Sequence, residues 1–241
     1  MPVSTLSVAL LEEARESSSQ GGRGSAASRV YAGLRARILS LELEPDARVA
    51  RSEIAEAFGV SQSPVREAIH KLAQEGLIIA YPQSRTIVSR IDLEHARQTQ
   101  FLRRGVEIEV ARELAKSAGA EVLAPAWRIL RMQRLAGEDN DIEEFSALDA
   151  LFHFSLFEAA GVPRLFHIIA ARAGHIDRLR RLNLPDPGKM ADVLRDHERI
   201  LRAIADRSEA AAESAIRSHL SGTLAASGEI RRKHPGYFSG Q

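Results

Sequence analysis

The sequence contains no cysteine among its 241 residues. This absence excludes disulfides, thiolate zinc sites and cysteine nucleophiles. A chain of this length without a disulfide suits a reducing compartment, so we expect a cytoplasmic protein. Any metal site in it must be built from histidine and carboxylate side chains.

Long apolar runs are also absent. No run approaches the roughly 18 residues that a membrane-spanning helix requires, so we expect no membrane partner. The first residues, 1–11, contain no basic segment and are followed by glutamates. We therefore expect no signal peptide.

Charge of one sign and aromatic side chains are both scarce. The net charge is +1, from 33 Lys and Arg against 32 Asp and Glu. A balance this even does not mark a nucleic-acid binder, and a DNA-binding surface would need its basic residues gathered on one face. Aromatic residues make up 5% of the chain, and the abundance of alanine and leucine favours helices over strands. A mainly α-helical protein is expected.

Composition and periodicity divide the chain into four parts. Residues 17–28 are rich in serine, glycine and alanine, which bury little apolar surface, so residues 1–27 are predicted to be a disordered N-terminal arm. Residues 28–91 are predicted to form a first domain. Residues 92–230 show helical spacing and no convincing strand, which predicts an antiparallel all-α bundle of about six helices. Residues 231–241 are predicted to be a C-terminal tail.

The first domain has the pattern of a winged helix-turn-helix. An apolar stripe predicts a helix that starts near Ser28 and ends before Pro45. Ser52 and Ser61 are predicted N-caps of two further short helices. The β-branched runs that follow Gly76 predict a short hairpin. Three helices followed by a hairpin are typical of this DNA-binding fold.

The start of the third helix carries the side chains expected to contact DNA. In a helix-turn-helix, the second helix of the motif enters the major groove and its first residues reach base edges. Here those residues are Ser61, Gln62, Ser63 and Arg66. Gln62 can pair with adenine, Arg66 with guanine or a phosphate, and the serines with phosphate. The alternative is that Ser61 only caps the helix and that Arg66 pairs with Glu53 or Glu67.

The stretch GVSQSPVREAIHKLAQEGLI resembles the recognition helix of the GntR family of bacterial transcription regulators, and PQSRTIVS resembles the wing of that family. The resemblance implies that Arg51 and Ser52 at the start of the preceding helix, the 61–66 stretch, and Arg85 on the wing face a double-stranded DNA operator.

Four residues of the bundle have the chemistry and spacing of a metal site: Asp149, His153, His197 and His219. Asp149 and His153 are four residues apart, so they lie on one face of a helix. His197 and His219 lie about ten residues either side of a helix turn, which places both roughly 15 Å from it in an antiparallel pair. Three imidazoles and a carboxylate suit zinc first, with nickel, iron or manganese as alternatives. The alternative is that these histidines bind no metal.

The segments DALFHFSLFEAAG and RDHERILRAIADRSEAAAESAIRSHL resemble the ligand-sensing FCD domain of the FadR branch of the GntR family. The resemblance implies that the four residues are ligands of a divalent metal ion, beside which a small-molecule effector, a carboxylate, binds. The segment FLRRGVEIEVARELA resembles the first bundle helix of that domain.

Three arginines are candidates for holding the effector. The first bundle helix offers Arg103 or Arg104, and Arg178 is expected to point into the same cavity. The alternative for the first two is an ion pair with Glu107.

The expected function is that of a ligand-responsive repressor that works as a homodimer. The dimer is implied because helix-turn-helix proteins bind paired half-sites, and its interface is expected near Phe101, Val106 and Val110. The alternative from another class is a metal-dependent hydrolase or lyase, since such a site can activate water. A third possibility is a regulator whose histidines line the effector pocket without a metal.

Overall fold

The computed structural model describes residues 25–81, 85–117 and 119–240. Most of the predicted N-terminal arm lies outside the described residues. The first helix begins at Ala26, earlier than predicted, because the side chain of Ser25 caps it by accepting a hydrogen bond from the Ser28 backbone N–H at 3.1 Å.

Three helices form the first domain, as predicted: α1 (Ala26–Leu39), α2 (Arg51–Phe58) and α3 (Gln62–Gln74). Their apolar faces form one core, to which Leu34 and Leu72 contribute fully buried side chains. Gly59 ends α2 in a left-handed conformation (φ +61°), which glycine adopts without strain. The prediction that Ser52 caps α2 is wrong, because α2 begins one residue earlier and its N-cap is Ala50.

The predicted hairpin consists of β1 (Ile78–Ala80) and β2 (Thr86–Val88), which pair antiparallel. Ile78 lies opposite Val88, and both side chains are buried in the core of the first domain. The tip of the hairpin, 82–84, lies outside the described residues.

The second domain is a helical bundle in the described part of the chain. Its helices are α4 (Leu93–Ser117), α5 (Ala120–Glu138), α6 (Ile142–Ala159), α7 (Pro163–Ala170), α8 (Gly174–Asn183), α9 (Lys189–Ala205), α10 (Glu209–Ala225) and α11 (Ser227–Lys233). Helix α4 packs on α10, α5 packs on α6, and α9 contacts both α10 and α5. None of these described helices is long and apolar enough to cross a membrane.

Two predicted helices of the bundle are each divided in the structure. The sequence pattern predicts single helices over 163–182 and 209–230, whereas α7 and α8 are separate, as are α10 and α11. Helix α8 begins at Gly174, where the chain turns against the first domain. A Cβ atom at this position would lie 2.6 Å from Cδ2 of Leu77, so only glycine allows this close approach.

The predicted C-terminal tail is part of the fold. A 3₁₀ helix, Pro235–Tyr237, follows α11, and the next residue, Phe238, is only 3% exposed. Its backbone forms a parallel bridge with Ile91, which connects the two domains. The basic run before Pro235 suggests a solvated tail, but the two apolar residues Ile230 and Phe238 provide enough apolar surface to dock the segment.

Candidate metal centre and DNA-binding surface

The structure brings together the four residues predicted to bind a metal. Asp149 and His153 lie on α6, His197 on α9 and His219 on α10. One potential ligand atom from each lies within 4.8 Å of all the others. Helix α6 crosses the middle of the bundle and is apolar on most of its surface, so its two polar ligand residues are held in the core.

The imidazole rings direct their Nε2 atoms toward a common point. The Nε2 atoms of His153 and His219 are 3.1 Å apart, and Nε2 of His197 lies 3.5 Å from Oδ1 of Asp149. Two imidazole ligands of one tetrahedral zinc ion are separated by about 3.3 Å, given a Zn–N distance of about 2.0 Å. The spacing of these nitrogens therefore fits ligands of a single small cation.

Burial leaves polar atoms at this point without partners. The side chains of Asp149 and His197 are fully buried, and neither Oδ1 of Asp149 nor Nε2 of His197 has a hydrogen-bond partner among the described residues. Buried polar atoms are nearly always paired, because leaving them unpaired costs free energy. A cation bound here would satisfy these atoms, so the donor set fits a divalent metal.

The second ring nitrogen of each histidine faces a polar side chain that the sequence pattern does not assign to the metal site. These contacts are His153 Nδ1 to Glu107 Oε2 at 2.7 Å, His197 Nδ1 to Gln133 Oε1 at 2.9 Å, and His219 Nδ1 to Asp196 Oδ2 at 3.6 Å. The contact of His197 with Gln133 is a hydrogen bond of the kind that typically orients a metal-binding histidine, because the outer acceptor fixes the tautomer that presents the other nitrogen to the ion. The ring of His197 also stacks on Phe152, with centroids 3.8 Å apart.

Charges around the cluster favour the protonation states that bind metals. Burial alone would raise the pKa of Asp149, but the neighbouring Arg180 guanidinium holds that pKa well below its usual range. Burial lowers the pKa of His197, and the adjacent His219 lowers it further. Asp149 therefore offers an ionised carboxylate, and His197 and His219 offer neutral imidazoles, at neutral pH, the forms that act as ligands.

A cavity of about 50 Å³ adjoins the cluster at His219. A volume of this size holds about four water molecules. Three cationic side chains line it, from Arg103, Arg180 and Lys189, and they face the carboxylates of Asp192 and Asp196. Such a cavity can take a small anion.

The three predicted effector-binding arginines have different environments. Arg103 lines the cavity and also forms the alternative ion pair with Glu107, at 2.7 Å. Arg104 is half-buried and is not part of the cavity lining. The prediction that Arg178 points into the cavity is wrong, because it is buried at the domain boundary and donates to the backbone oxygen of Ser89 at 2.6 Å.

Arg180, which was not singled out from the sequence, takes the place expected of Arg178. It lines the cavity and forms a close ion pair with Asp149. Two steps along a helix turn a side chain through about 200°, so Arg178 and Arg180 face opposite sides of α8. The run of basic residues in this helix gave no signal that would distinguish them.

The residues predicted to contact DNA all lie exposed on the first domain: Arg51, Ser52, Ser61, Gln62, Ser63, Arg66 and Arg85. Ser61 is the N-cap residue of α3, but its hydroxyl makes no capping hydrogen bond. Among the described residues, no carboxylate lies within 4.0 Å of the Arg66 guanidinium, so the alternative pairing with Glu53 or Glu67 is absent there. On the hairpin, the guanidinium of Arg85 lies 5.2 Å from the ring centre of Tyr81.

Comparisons with known proteins agree with this architecture. Residues 26–88 match the model of the bacterial regulatory proteins of the gntR family, and residues 99–222 match the FCD domain. An HTH-type transcriptional regulator in an unstable DNA locus of Streptomyces ambofaciens is 35% identical over 210 residues, which cover 87% of this chain and 88% of that protein. The HTH-type transcriptional repressor RspR of Escherichia coli K12 is 30% identical over 210 residues, which cover 87% of this chain and 92% of the repressor.

The fold is similar to that of E. coli McbR/YncC, with a TM-score of 0.73 at 18% identity over 88% of this chain and all of that one. The family and the regulators from Streptomyces ambofaciens and E. coli K12 are DNA-binding transcriptional regulators and not enzymes, which removes the support for a hydrolase or lyase. The chain belongs to the GntR family of bacterial transcription regulators and carries an FCD domain behind its DNA-binding domain.

Proposed function

We propose that this regulator is a metal-containing repressor whose operator binding responds to a small carboxylate held in the FCD domain. The observation that carries the proposal is the buried cluster of one aspartate and three histidines that opens onto a cavity lined by cations. The relative RspR is named a repressor, which supports repression as the direction of regulation.

The exposed face of α3 and the hairpin is the proposed DNA surface. The contacts would come from Arg51, Ser52, Ser61, Gln62, Ser63, Arg66 and Arg85. The backbone N–H groups at the start of α3 add a favourable site for a phosphate. A protein with this role acts where the chromosome lies, in the cytoplasm.

A homodimer would present two such surfaces to half-sites about one helical turn apart. Of the three residues expected at its interface, Phe101 is 82% exposed, which is unusual for a phenylalanine and supports the proposal. Val106 is half-buried. Val110 is buried in the bundle core and cannot contribute to an interface as predicted.

The proposed metal ligands are Asp149, His153, His197 and His219, with zinc as the first choice and nickel, iron or manganese as alternatives. When bound, the ion would supply a positive charge that attracts a carboxylate, and a carboxylate could bind it directly only if the ion accepts more than four ligands. Gln133 would hold the ring of His197 in the required orientation through a hydrogen bond, and the carboxylates of Glu107 and Asp196 lie beside the outer nitrogens of the other two rings.

The effector is proposed to bind in the adjoining cavity, between Arg103 and Arg180. Both guanidinium groups are already paired with carboxylates, those of Glu107 and Asp149. An effector carboxylate would compete for these guanidinium groups and so change the contacts of α8 with α6. It alters DNA binding only by the difference in its affinity for the two domain arrangements.

Metal analysis of protein purified without an affinity tag tests the proposal. We expect about one divalent ion per chain, its loss in a His197→Ala, His219→Ala double variant, and its retention in a His70→Ala control, since His70 lies exposed on α3. A native protein that contains no metal and takes up no zinc would contradict the proposal and favour histidines that line a metal-free effector pocket.

A further inference from the structure

The C-terminal segment 234–240 returns to the junction between the two domains. The backbone N–H of Ile91 donates to the carbonyl of Tyr237 at 2.7 Å, and the N–H of Ser239 donates back to the carbonyl of Ile91 at 3.0 Å. The hydroxyl of Tyr237 donates to Glu44 of the DNA-binding domain at 2.8 Å. The last part of the bundle thus contacts both the connection between the domains and the first domain itself.

The connection, residues 89–92, is also held from the opposite side. The Arg178 guanidinium donates to the carbonyl of Ser89 at 2.6 Å, and the backbone N–H of Asp92 donates to Nδ1 of His175 at 3.0 Å. Backbone groups of three of its four residues are therefore bonded to α8 or to the C-terminal segment. A connection bonded in this way cannot change its conformation without breaking contacts to the bundle.

Phe238 anchors the C-terminal segment in a small apolar cluster. Its buried members are Ile91, Ala96, Ile176, Leu179, Ile230 and Phe238, and Leu224 packs against them. Two of these residues, Ile176 and Leu224, also line the cavity beside the candidate metal cluster. Leu224 and the candidate ligand His219 both lie on α10, so a short stretch of this helix connects the cavity with the C-terminal segment.

We propose that residues 234–240 form a strap that fixes the orientation of the DNA-binding domain and couples it to the occupancy of the cavity. This inference rests on the proposed function for the nature of the ligand, but the contacts of the strap with Ile91 and Glu44 do not depend on it. A ligand that moves Leu224 or Ile176 displaces Phe238, which changes the position of Ile91.

Limited proteolysis of the full chain tests the strap without any ligand or DNA. The bond between Arg90 and Ile91 is a trypsin site whose second residue is bonded to the strap. We expect Phe238→Ala to increase the rate at which the fragment starting at Ile91 appears by at least tenfold. Phe238→Leu should restore most of the protection. Leu135→Ala, which truncates a side chain that is 60% exposed on α5, should leave the rate unchanged. Equal rates for the native and Phe238→Ala proteins, with helical content preserved, would overturn the strap.

The coupling is tested with zinc and operator DNA. In Phe238→Ala, the affinity for zinc should stay within about twofold of the native value, while the ratio of DNA affinities with and without zinc falls toward one. If this ratio of DNA affinities is the same in Phe238→Ala as in the native protein, the proposed coupling is overturned. If zinc does not change the DNA affinity of the native chain, the result contradicts a link between the metal site and operator binding instead, and the cleavage rates still decide whether the strap holds the connection.

Discussion

Gln133 offers a sharp test of the candidate metal centre because it touches one ligand and no part of the cavity. Its side chain is fully buried, its Oε1 accepts from Nδ1 of His197 at 2.9 Å, and its amide donates to the carbonyl of Phe145 at 3.3 Å. This contact fixes the His197 tautomer that presents Nε2 to the cluster. We predict that Gln133→Leu, which preserves most of the side-chain volume, removes this orientation.

The expected loss in zinc affinity is about 10- to 100-fold, the usual effect of removing the outer hydrogen-bond partner of a ligand. This corresponds to about 1.4–2.7 kcal/mol of binding free energy. The metal-free protein should also lose about 1–3 kcal/mol in its free energy of unfolding, because Nδ1 of His197 is left buried without a partner. Gln133→Glu should keep the affinity at or above the native value, since it retains an acceptor at the same place.

Competition with a chromophoric chelator measures the affinity, and denaturant unfolding in excess chelator measures the stability of the metal-free protein. Gln98→Leu is the matched control, because Gln98 is exposed on α4 and its amide donates to Oε1 of Glu94 at 3.2 Å, away from the cluster. Zinc affinity within twofold of native in Gln133→Leu would refute the assignment of His197 as an oriented ligand.

Three further predictions address the DNA surface, the domain boundary and the pH dependence. Arg66→Ala should weaken operator binding by more than about 1 kcal/mol at matched salt. Arg131→Ala, on the exposed face of α5, is the control and should leave operator binding unchanged. A fluorescence titration measures both affinities. Gly174→Ala should lower the free energy of unfolding by about 1–3 kcal/mol because its Cβ would lie 2.6 Å from Leu77, and Leu77→Ala in the same chain should recover part of that loss if the clash is the cause. Burial and the charge of a neighbouring arginine lower the pKa of His175 to about 3, so below about pH 6.5 the unfolded state binds a proton at this residue that the folded state does not. His197 and His219, whose pKa values are also lowered, add to the loss of stability in the chelated protein. Between pH 7 and 5 the free energy of unfolding should therefore fall by about 2 kcal/mol more in the native chain than in His175→Gln, and falls of equal size in the two proteins would contradict this assignment.

The fold class follows from periodicity, but its boundaries depend on tertiary contacts. The stripe of Leu34 and its neighbours predicts α1 correctly, and the turn at Gly59 places α2 and α3. The division between α7 and α8 could not be predicted, because it depends on the approach of Leu77 to Gly174 across the domain boundary. The docking of Phe238 was missed for the same reason, since Ile91 is distant in sequence.

The candidate metal cluster could be located from spacing because α6, α9 and α10 are regular helices with a fixed rise per residue. The contacts of the outer ring nitrogens could not be predicted from spacing, because Gln133 and Glu107 lie on helices whose rotation is set by packing. Arg178 and Arg180 also show that the sequence pattern does not fix the rotation of a helix. A basic stretch predicts that some arginine faces the cavity, but only the rotation of α8 decides which one does.

The central claim is that operator binding depends on the buried cluster of Asp149, His153, His197 and His219. A fluorescence titration of the full chain against labelled DNA from upstream of its own gene, with zinc and with chelator, tests it most directly. We predict saturable binding that resists unspecific competitor DNA and a Kd that changes at least fivefold between the two conditions, equivalent to about 1 kcal/mol of coupling. The same Kd in both conditions would contradict the claim, and so would an absence of binding at low salt.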